Sequence, residues 1–81
     1  MRYIILRTEE QNYHIIDDAA NELDALKQYI EYCFSGDLKI FNILADSGKL
    51  DLSELVAYAN NYLLCNYAAI GAIYSLGDKI F

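Results

Sequence analysis

The chain has 81 residues, of which 56% are hydrophobic and 22% are charged, and its formal net charge at pH 7 is −6. This length predicts a single domain over residues 1–81, and the hydrophobic content excludes intrinsic disorder. The acidic balance argues against direct binding of nucleic acid, because such binding needs clustered basic residues and the six bases here are spread along the chain.

Two segments at the N-terminus have the residue pattern of β-strands. In Arg2–Thr8, β-branched and aromatic residues alternate between two faces, with Ile4 and Leu6 on the same side. The polar run at 9–12 is typical of a turn, and Tyr13–Asp17 then resumes strand character. Together these segments predict an antiparallel hairpin with a loop longer than two residues.

The pattern from Asn21 to Phe34 predicts the first helix. Asn21 is a good N-cap, and the carboxylates that follow it in the first turn complement the helix dipole. Gly36 has the position of a residue that ends a helix. We expect the apolar stripe of this helix to pack against the hairpin, and the stripe consists of Leu23, Leu26, Ile30, Cys33 and Phe34.

The second half of the chain is less clearly patterned. The segments 38–45 and 67–76 each fit a strand or a helix. Asp51 or Ser53 can cap a second helix that starts near Leu52, and Gly77-Asp78 is a turn signal that returns the last residues toward the body. The sequence therefore predicts an α+β fold, in which a small antiparallel sheet that starts with an N-terminal hairpin is packed by two helices.

The stretch Leu55–Gly77 contains no charged residue. It is long enough to span a bilayer, but three asparagines and four tyrosines interrupt it, and no basic flank follows it. We interpret it as a buried or interface element, with no membrane contact. Because it is much apolar surface for a small domain to hide, it also suggests an alternative function, a homo-oligomeric structural or regulatory subunit that associates through 55–77.

Residues with catalytic or metal-binding chemistry are few. His14 is the only histidine, and Cys33 lies on the apolar helix stripe, where a thiol tends to be inert. No cluster completes a zinc site. The sequence thus predicts no catalytic residue, no metal site and no cofactor. The chain has only two cysteines, Cys33 and Cys65, and no leader is recognised in its sequence. We therefore expect a reducing, cytoplasmic setting with both thiols buried.

The run from Gly48 to Leu55 resembles the second half of an EF-hand calcium loop. Gly48 and Glu54 have the spacing of the turn glycine and the closing glutamate in such a loop. The first half does not match, because its ligand positions would be Ile43 and Ala45, which have no side-chain oxygen. We therefore interpret this run as the start of a helix.

Eight of the twelve carboxylates lie between Glu9 and Asp37, where Lys27 is the only base. Such a surface attracts basic partners, and partly exposed tyrosines are suited to anchoring an interface. In size, charge and architecture the chain resembles small phage-encoded inhibitors of host-defence nucleases, such as anti-CRISPR proteins, which share no common motif. The resemblance implies a non-enzymatic inhibitor of a basic, nucleic-acid-binding protein. The predicted contacts are Glu9, Glu10, Asp17, Asp18, Glu22, Asp24 and Glu31, with Tyr13, Tyr29 and Tyr32 as anchors.

Overall fold

The structure, a computed structural model, describes residues 1–9 and 12–81. Within these residues all strand pairings are antiparallel, so the predicted α+β class with an N-terminal hairpin is confirmed. Three α-helices, and not the predicted two, accompany the sheet. The order along the chain is β1 (Tyr3–Arg7), β2 (Tyr13–Ile16), α1 (Glu22–Cys33), α2 (Lys39–Asp46), α3 (Leu52–Leu63), a 3-10 turn at Leu64–Asn66, β3 (Ile70–Ser75) and β4 (Asp78–Lys79).

The sheet has the strand order β2-β1-β3-β4, with β1 and β3 in the centre. One face is covered by the helices, and it buries Tyr3, Ile5 and Ile73 in the main core. The predicted alternation in β1 is confirmed, because Ile4 points to the other face, beside its β2 partner Ile15. Both of these isoleucines are partly exposed, so the second face of the sheet is apolar and open to solvent.

Helix α1 forms as its capping residues predict. The Asn21 side chain accepts a hydrogen bond from the Asp24 amide at 2.9 Å, as an N-cap does. The helix ends at Cys33, with Phe34 as its C-cap, and so stops before Gly36. Its buried face contacts both β2 and α3. This face is centred on Ala25, Leu26, Tyr29 and Ile30, whereas Leu23, Cys33 and Phe34 are only partly buried.

The ambiguous segment 38–45 forms helix α2. Phe41 and Ala45 are buried one turn apart, while Ile40 and Ile43 are largely exposed. The carboxylate of Asp37 accepts a hydrogen bond from an amide of the first turn, that of Lys39, at 2.9 Å. A strand would have placed Phe41 and Ile43 on one face, so burial of a helical stripe decided between the two patterns.

The C-terminal half joins helix to strand through a side-chain amide. Asn60 of α3 accepts from the Ile70 amide at 2.8 Å and donates to the Ile70 carbonyl at 3.2 Å. This contact fixes the start of β3, the segment left open by the sequence. At its other end, β3 turns into β4 through Leu76 and Gly77, whose φ angles of 54° and 86° are those of a type I′ hairpin turn. The predicted return of the last residues is confirmed, since Ile80 bonds to Ile73.

The uncharged stretch 55–77 is partly interior, with ten of its 23 residues buried. Its interpretation as a buried element is confirmed for these residues, which include nine of the twenty buried hydrophobic residues of the described chain. In the described part of the chain, no helix has the length and apolar character needed to cross a bilayer. The buried residues of the stretch are Leu55, Val56, Ala59, Leu63, Ala68, Ala69, Ile70, Ala72, Ile73 and Ser75.

Candidate protein-interaction surface

The hairpin and α1 form one continuous outer surface. Gln28 of α1 donates a hydrogen bond to the Asp18 carbonyl just after β2, at 2.9 Å. One turn further along, the Tyr32 ring lies 4.5 Å from the His14 ring of β2, centroid to centroid. Helix α1 therefore packs on the helix side of β2 and contacts it through the Tyr32 and His14 rings, while Gln28 holds the segment that follows β2. We call this the hairpin–helix surface, made of Glu9, Tyr13, His14, Asp17, Asp18, Asp24, Gln28, Glu31 and Tyr32. It wraps around the β2 edge, because Tyr13 lies on the open face of the sheet and Tyr32 lies on the helix side.

Helical geometry decides which predicted carboxylates share this surface. Asp24 and Glu31 are seven residues apart and so lie on the same side of α1 as Gln28. Glu22 is about 200° away from Asp24 around the helix axis. Together with Leu50 and Leu52, Glu22 lines a separate shallow groove of about 190 Å³ on the other side of α1. The prediction that all seven carboxylates form one face is therefore wrong for Glu22, and Glu10 lies outside the described residues.

Two carboxylates of the surface already have partners within the chain. Asp17 forms an ion pair with Arg2 at 3.2 Å, and both side chains are about two-thirds or more exposed. An exposed pair of this kind contributes at most about 1 kcal/mol and can exchange partners. Asp24 accepts from the Ala20 amide at 2.9 Å and from Gln28 at 3.2 Å, so it also holds the helix start in place. Among the described residues, the carboxylates of Glu9, Asp18 and Glu31 form no hydrogen bond or ion pair.

Of the cations near this surface, Arg2 pairs with Asp17, and Lys27 and Arg7 have other partners. Lys27 forms an ion pair with Asp46 of α2, on the opposite side of α1 from the hairpin. Arg7 donates from Nε to the Tyr29 hydroxyl at 2.9 Å, beneath the helix. Arg7 keeps its positive charge in this contact, but the five carboxylates of the surface outnumber Arg2 and Arg7, so its net charge is negative.

The three predicted aromatic anchors divide into two classes. Tyr13 is 61% exposed and Tyr32 is 70% exposed, so both can contact a partner. Tyr29 is fully buried, and its assignment as an anchor is wrong. Its hydroxyl donates to the Ala68 carbonyl at 2.7 Å while accepting from Arg7. Tyr29 thus ties α1 to the end of β1 and to the segment before β3.

This packing shifts the pKa values of two side chains, Tyr29 and His14. Burial raises the pKa of Tyr29 to about 12, an effect that the hydrogen bond from Arg7 opposes. Burial also lowers the pKa of His14 below 6.5, and the nearby charge of Arg7 lowers it further. His14 is therefore neutral at pH 7 and adds no positive charge beside the carboxylates.

Metal ligands are not clustered in the described part of the chain. Over residues 1–9 and 12–81, no three His, Cys, Asp or Glu side chains come together as metal ligands. Cys33 is half-buried and Cys65 is exposed, both as free thiols, so the prediction of two buried thiols is wrong for Cys65. The helix-start interpretation of the EF-hand-like run is confirmed, because Asp51 and Glu54 form a reciprocal capping box.

The open face of the sheet is a feature that the sequence prediction did not include. It holds a shallow groove of about 320 Å³ lined by Arg2, Ile4, Tyr74, Leu76 and Gly77. Leu76 is 82% exposed and has a positive φ, a conformation that costs a residue with a Cβ about 1 kcal/mol. The sequence of β1 could have predicted this open apolar face, because apolar residues occupy both faces of that strand and not only one.

Comparisons with known proteins do not assign a family. No family model matches the chain, and neither curated proteins nor solved structures show significant similarity to it.

Proposed function

We propose that this protein is a non-enzymatic, cytoplasmic inhibitor whose hairpin–helix surface binds a basic, nucleic-acid-binding protein. One observation supports this most directly. Glu9, Asp18 and Glu31 present exposed carboxylates without partners among the described residues, and Lys27 pairs with Asp46 away from them. Such an arrangement pairs with the Lys and Arg side chains of a groove that otherwise holds a nucleic-acid backbone.

Tyr13 and Tyr32 complete the interaction. Buried aromatic side chains dominate the affinity of many interfaces, while charges at the rim govern the association rate and its salt dependence. Tyr32 is already held against His14, so binding immobilises fewer free rotamers there. The carboxylates therefore steer the partner, and the two tyrosines supply contact area.

The resemblance to anti-CRISPR-type inhibitors in size, charge and architecture makes RNA-guided nucleases the first partners to test. The experiment measures DNA cleavage by a panel of such complexes with increasing amounts of this protein. Competition predicts that the half-inhibitory concentration rises in proportion to the DNA concentration, and that binding weakens steeply with salt. Inhibition that is independent of both DNA and salt concentration would contradict an electrostatic competitor.

Self-association is a second candidate function, favoured by the open sheet face. Part of the stretch 55–77 is interior, but Tyr74 and Leu76 line the groove on that face. An exposed leucine in a disfavoured backbone conformation suggests a contact that offsets its cost. Light scattering over a dilution series tests this, with Leu76→Asp as the variant. A dimer that persists to low concentration and is lost in Leu76→Asp supports the candidate, and a monomer at all concentrations refutes it.

A further inference from the structure

Strand β2 is an open edge of the sheet. It pairs with β1 on one side and has no neighbour on the other within the described chain. The bond from the Arg7 amide to the Asn12 carbonyl, at 2.9 Å, sets the phase of the β1–β2 ladder. Because bonded and non-bonded pairs alternate in an antiparallel ladder, the amide and carbonyl groups of Tyr13 and Ile15 point away from β1. These four groups can pair with one more strand.

Several protections of a sheet edge are absent from β2, although the strand is short, with four residues. Edges are commonly blunted by lysine, by proline, by a bulge or by a very short strand. Residues 13–16 contain no charged side chain and no proline, and the one register shift next to β1 lies in its pairing with β3. The opposite edge differs, because β4 is only Asp78–Lys79 and both of its residues are charged. One edge is thus protected and the other is left open.

The side chains around the open edge provide a place for an added strand. Tyr13 and Ile15 lie on the open face and are 61% and 40% exposed. On the helix side, Tyr32 projects beside His14. An incoming strand would therefore find an apolar surface on one side and an aromatic ring on the other, the combination by which strand addition gains specificity.

Charge selects the occupant. Glu9 lies in the connection before β2, and Asp17 and Asp18 follow its last residue. If a second copy paired antiparallel through β2, Glu9 of each chain would lie near Asp17 and Asp18 of the other. Each chain also has a net charge of −6. Like charges so placed oppose pairing, whereas Lys or Arg at the two ends of an incoming strand would be attracted. The favoured occupant is an extended basic segment.

We propose that β2 binds its partner by strand addition, with an extended, β-branched segment of the partner pairing to Tyr13 and Ile15 and with basic residues at both of its ends. This inference rests on the proposed function and specifies how the basic partner is held. The main-chain hydrogen bonds supply affinity that salt screens little, while the flanking charges supply orientation.

The test uses a synthetic peptide, Lys-Lys-Val-Thr-Val-Thr-Val-Lys-Lys, titrated into the ¹⁵N-labelled full chain. Strand addition predicts slowed amide exchange at Tyr13 and Ile15 and little change at the amide of Lys79 on the opposite edge. A peptide with Glu in place of every Lys is expected to bind at least about tenfold more weakly. Binding without protection of the Tyr13 and Ile15 amides would overturn the proposal.

The decisive variant is Ile15→Pro, with Ile15→Thr as its matched control. Proline is tolerated at an edge position whose amide faces solvent, and it removes the outward donor of Ile15. Affinity for the peptide is expected to fall about tenfold or more in Ile15→Pro and to stay within about threefold in Ile15→Thr. Equal affinities would overturn the proposal. If Ile15→Pro does not fold, a peptide N-methylated at alternate residues supplies the same test on the wild-type chain.

Failure of this inference is distinguishable from failure of the proposed function. Reversing Asp18 and Glu31 to lysine tests the acidic surface and leaves the edge groups of β2 in place. Loss of nuclease inhibition on charge reversal, together with full inhibition by Ile15→Pro, would keep the inhibitor and reject strand addition. Inhibition unaffected by charge reversal would reject the inhibitor mechanism itself.

Discussion

The Tyr29 hydroxyl gives the most direct test of the packing beneath the hairpin–helix surface. Tyr29→Phe keeps the buried ring and removes only the hydroxyl, which donates to the Ala68 carbonyl at 2.7 Å and accepts from Arg7 at 2.9 Å. Ala68 is buried, so its carbonyl loses this partner without access to water, at a cost of about 1–3 kcal/mol. Arg7 is partly exposed and also donates to Asn12 at 3.1 Å, so its loss of the Tyr29 hydroxyl adds little. We expect a total destabilisation of about 2 kcal/mol.

Thermal unfolding followed by circular dichroism measures this change. For a domain of this size, 1 kcal/mol shifts the midpoint by about 4–8 °C, so Tyr29→Phe should melt about 8–16 °C below the wild type. Tyr32→Phe is the matched control, because Tyr32 is 70% exposed, and its effect should stay within about 0.5 kcal/mol. If the two variants melt at the same temperature, the Tyr29 hydroxyl does not tie α1 to the sheet.

Three further predictions concern stability. Asn60→Ala should cost about 2 kcal/mol in urea unfolding, because two buried main-chain groups of Ile70 lose their partner, whereas Asn61→Ala on the exposed side should be near neutral. Burial raises the pKa of Tyr29 to about 12, above the value of 10 for an unfolded chain. The stability that the protonated Tyr29 hydroxyl contributes is therefore complete below pH 10 and is lost as the pH rises to 12. Urea unfolding across this pH range, with tyrosine ionisation followed by absorbance at 295 nm, should show a smaller loss of stability in Tyr29→Phe than in the wild type. Leu76→Asn should raise the thermal midpoint by the equivalent of about 1 kcal/mol, since asparagine tolerates a positive φ better.

Local chemistry made much of the fold predictable. Asn21 and Asp51 mark the starts of α1 and α3 because their side chains satisfy free amides at those positions. The hairpin followed from alternation alone. Segments 38–45 and 67–76 were not decided by pattern, since their apolar residues fit both periods and the outcome depended on distant partners such as Asn60 with Ile70.

The site was less predictable than the fold. Charge counts along the chain placed Glu22 with Asp24, although about 200° of helix separates them. The same counts could not show that Lys27 pairs with Asp46, nineteen residues away. Tyr29 looked like an anchor because tyrosines favour interfaces, and only the tertiary contact with Ala68 shows it to be structural. The open edge of β2 followed from the strand order, which sequence pattern does not specify.

The central claim is that the hairpin–helix surface, and not overall acidity, recognises the partner. Two double variants test it with equal net charge: Asp18→Lys with Glu31→Lys on the surface, and Glu22→Lys with Asp78→Lys away from it. The measurement is the dissociation constant for an inhibited nuclease at two ionic strengths. We predict at least about a tenfold loss for the first pair, with a flatter salt dependence, and a change within about threefold for the second. Equal losses in the two pairs would contradict the claim.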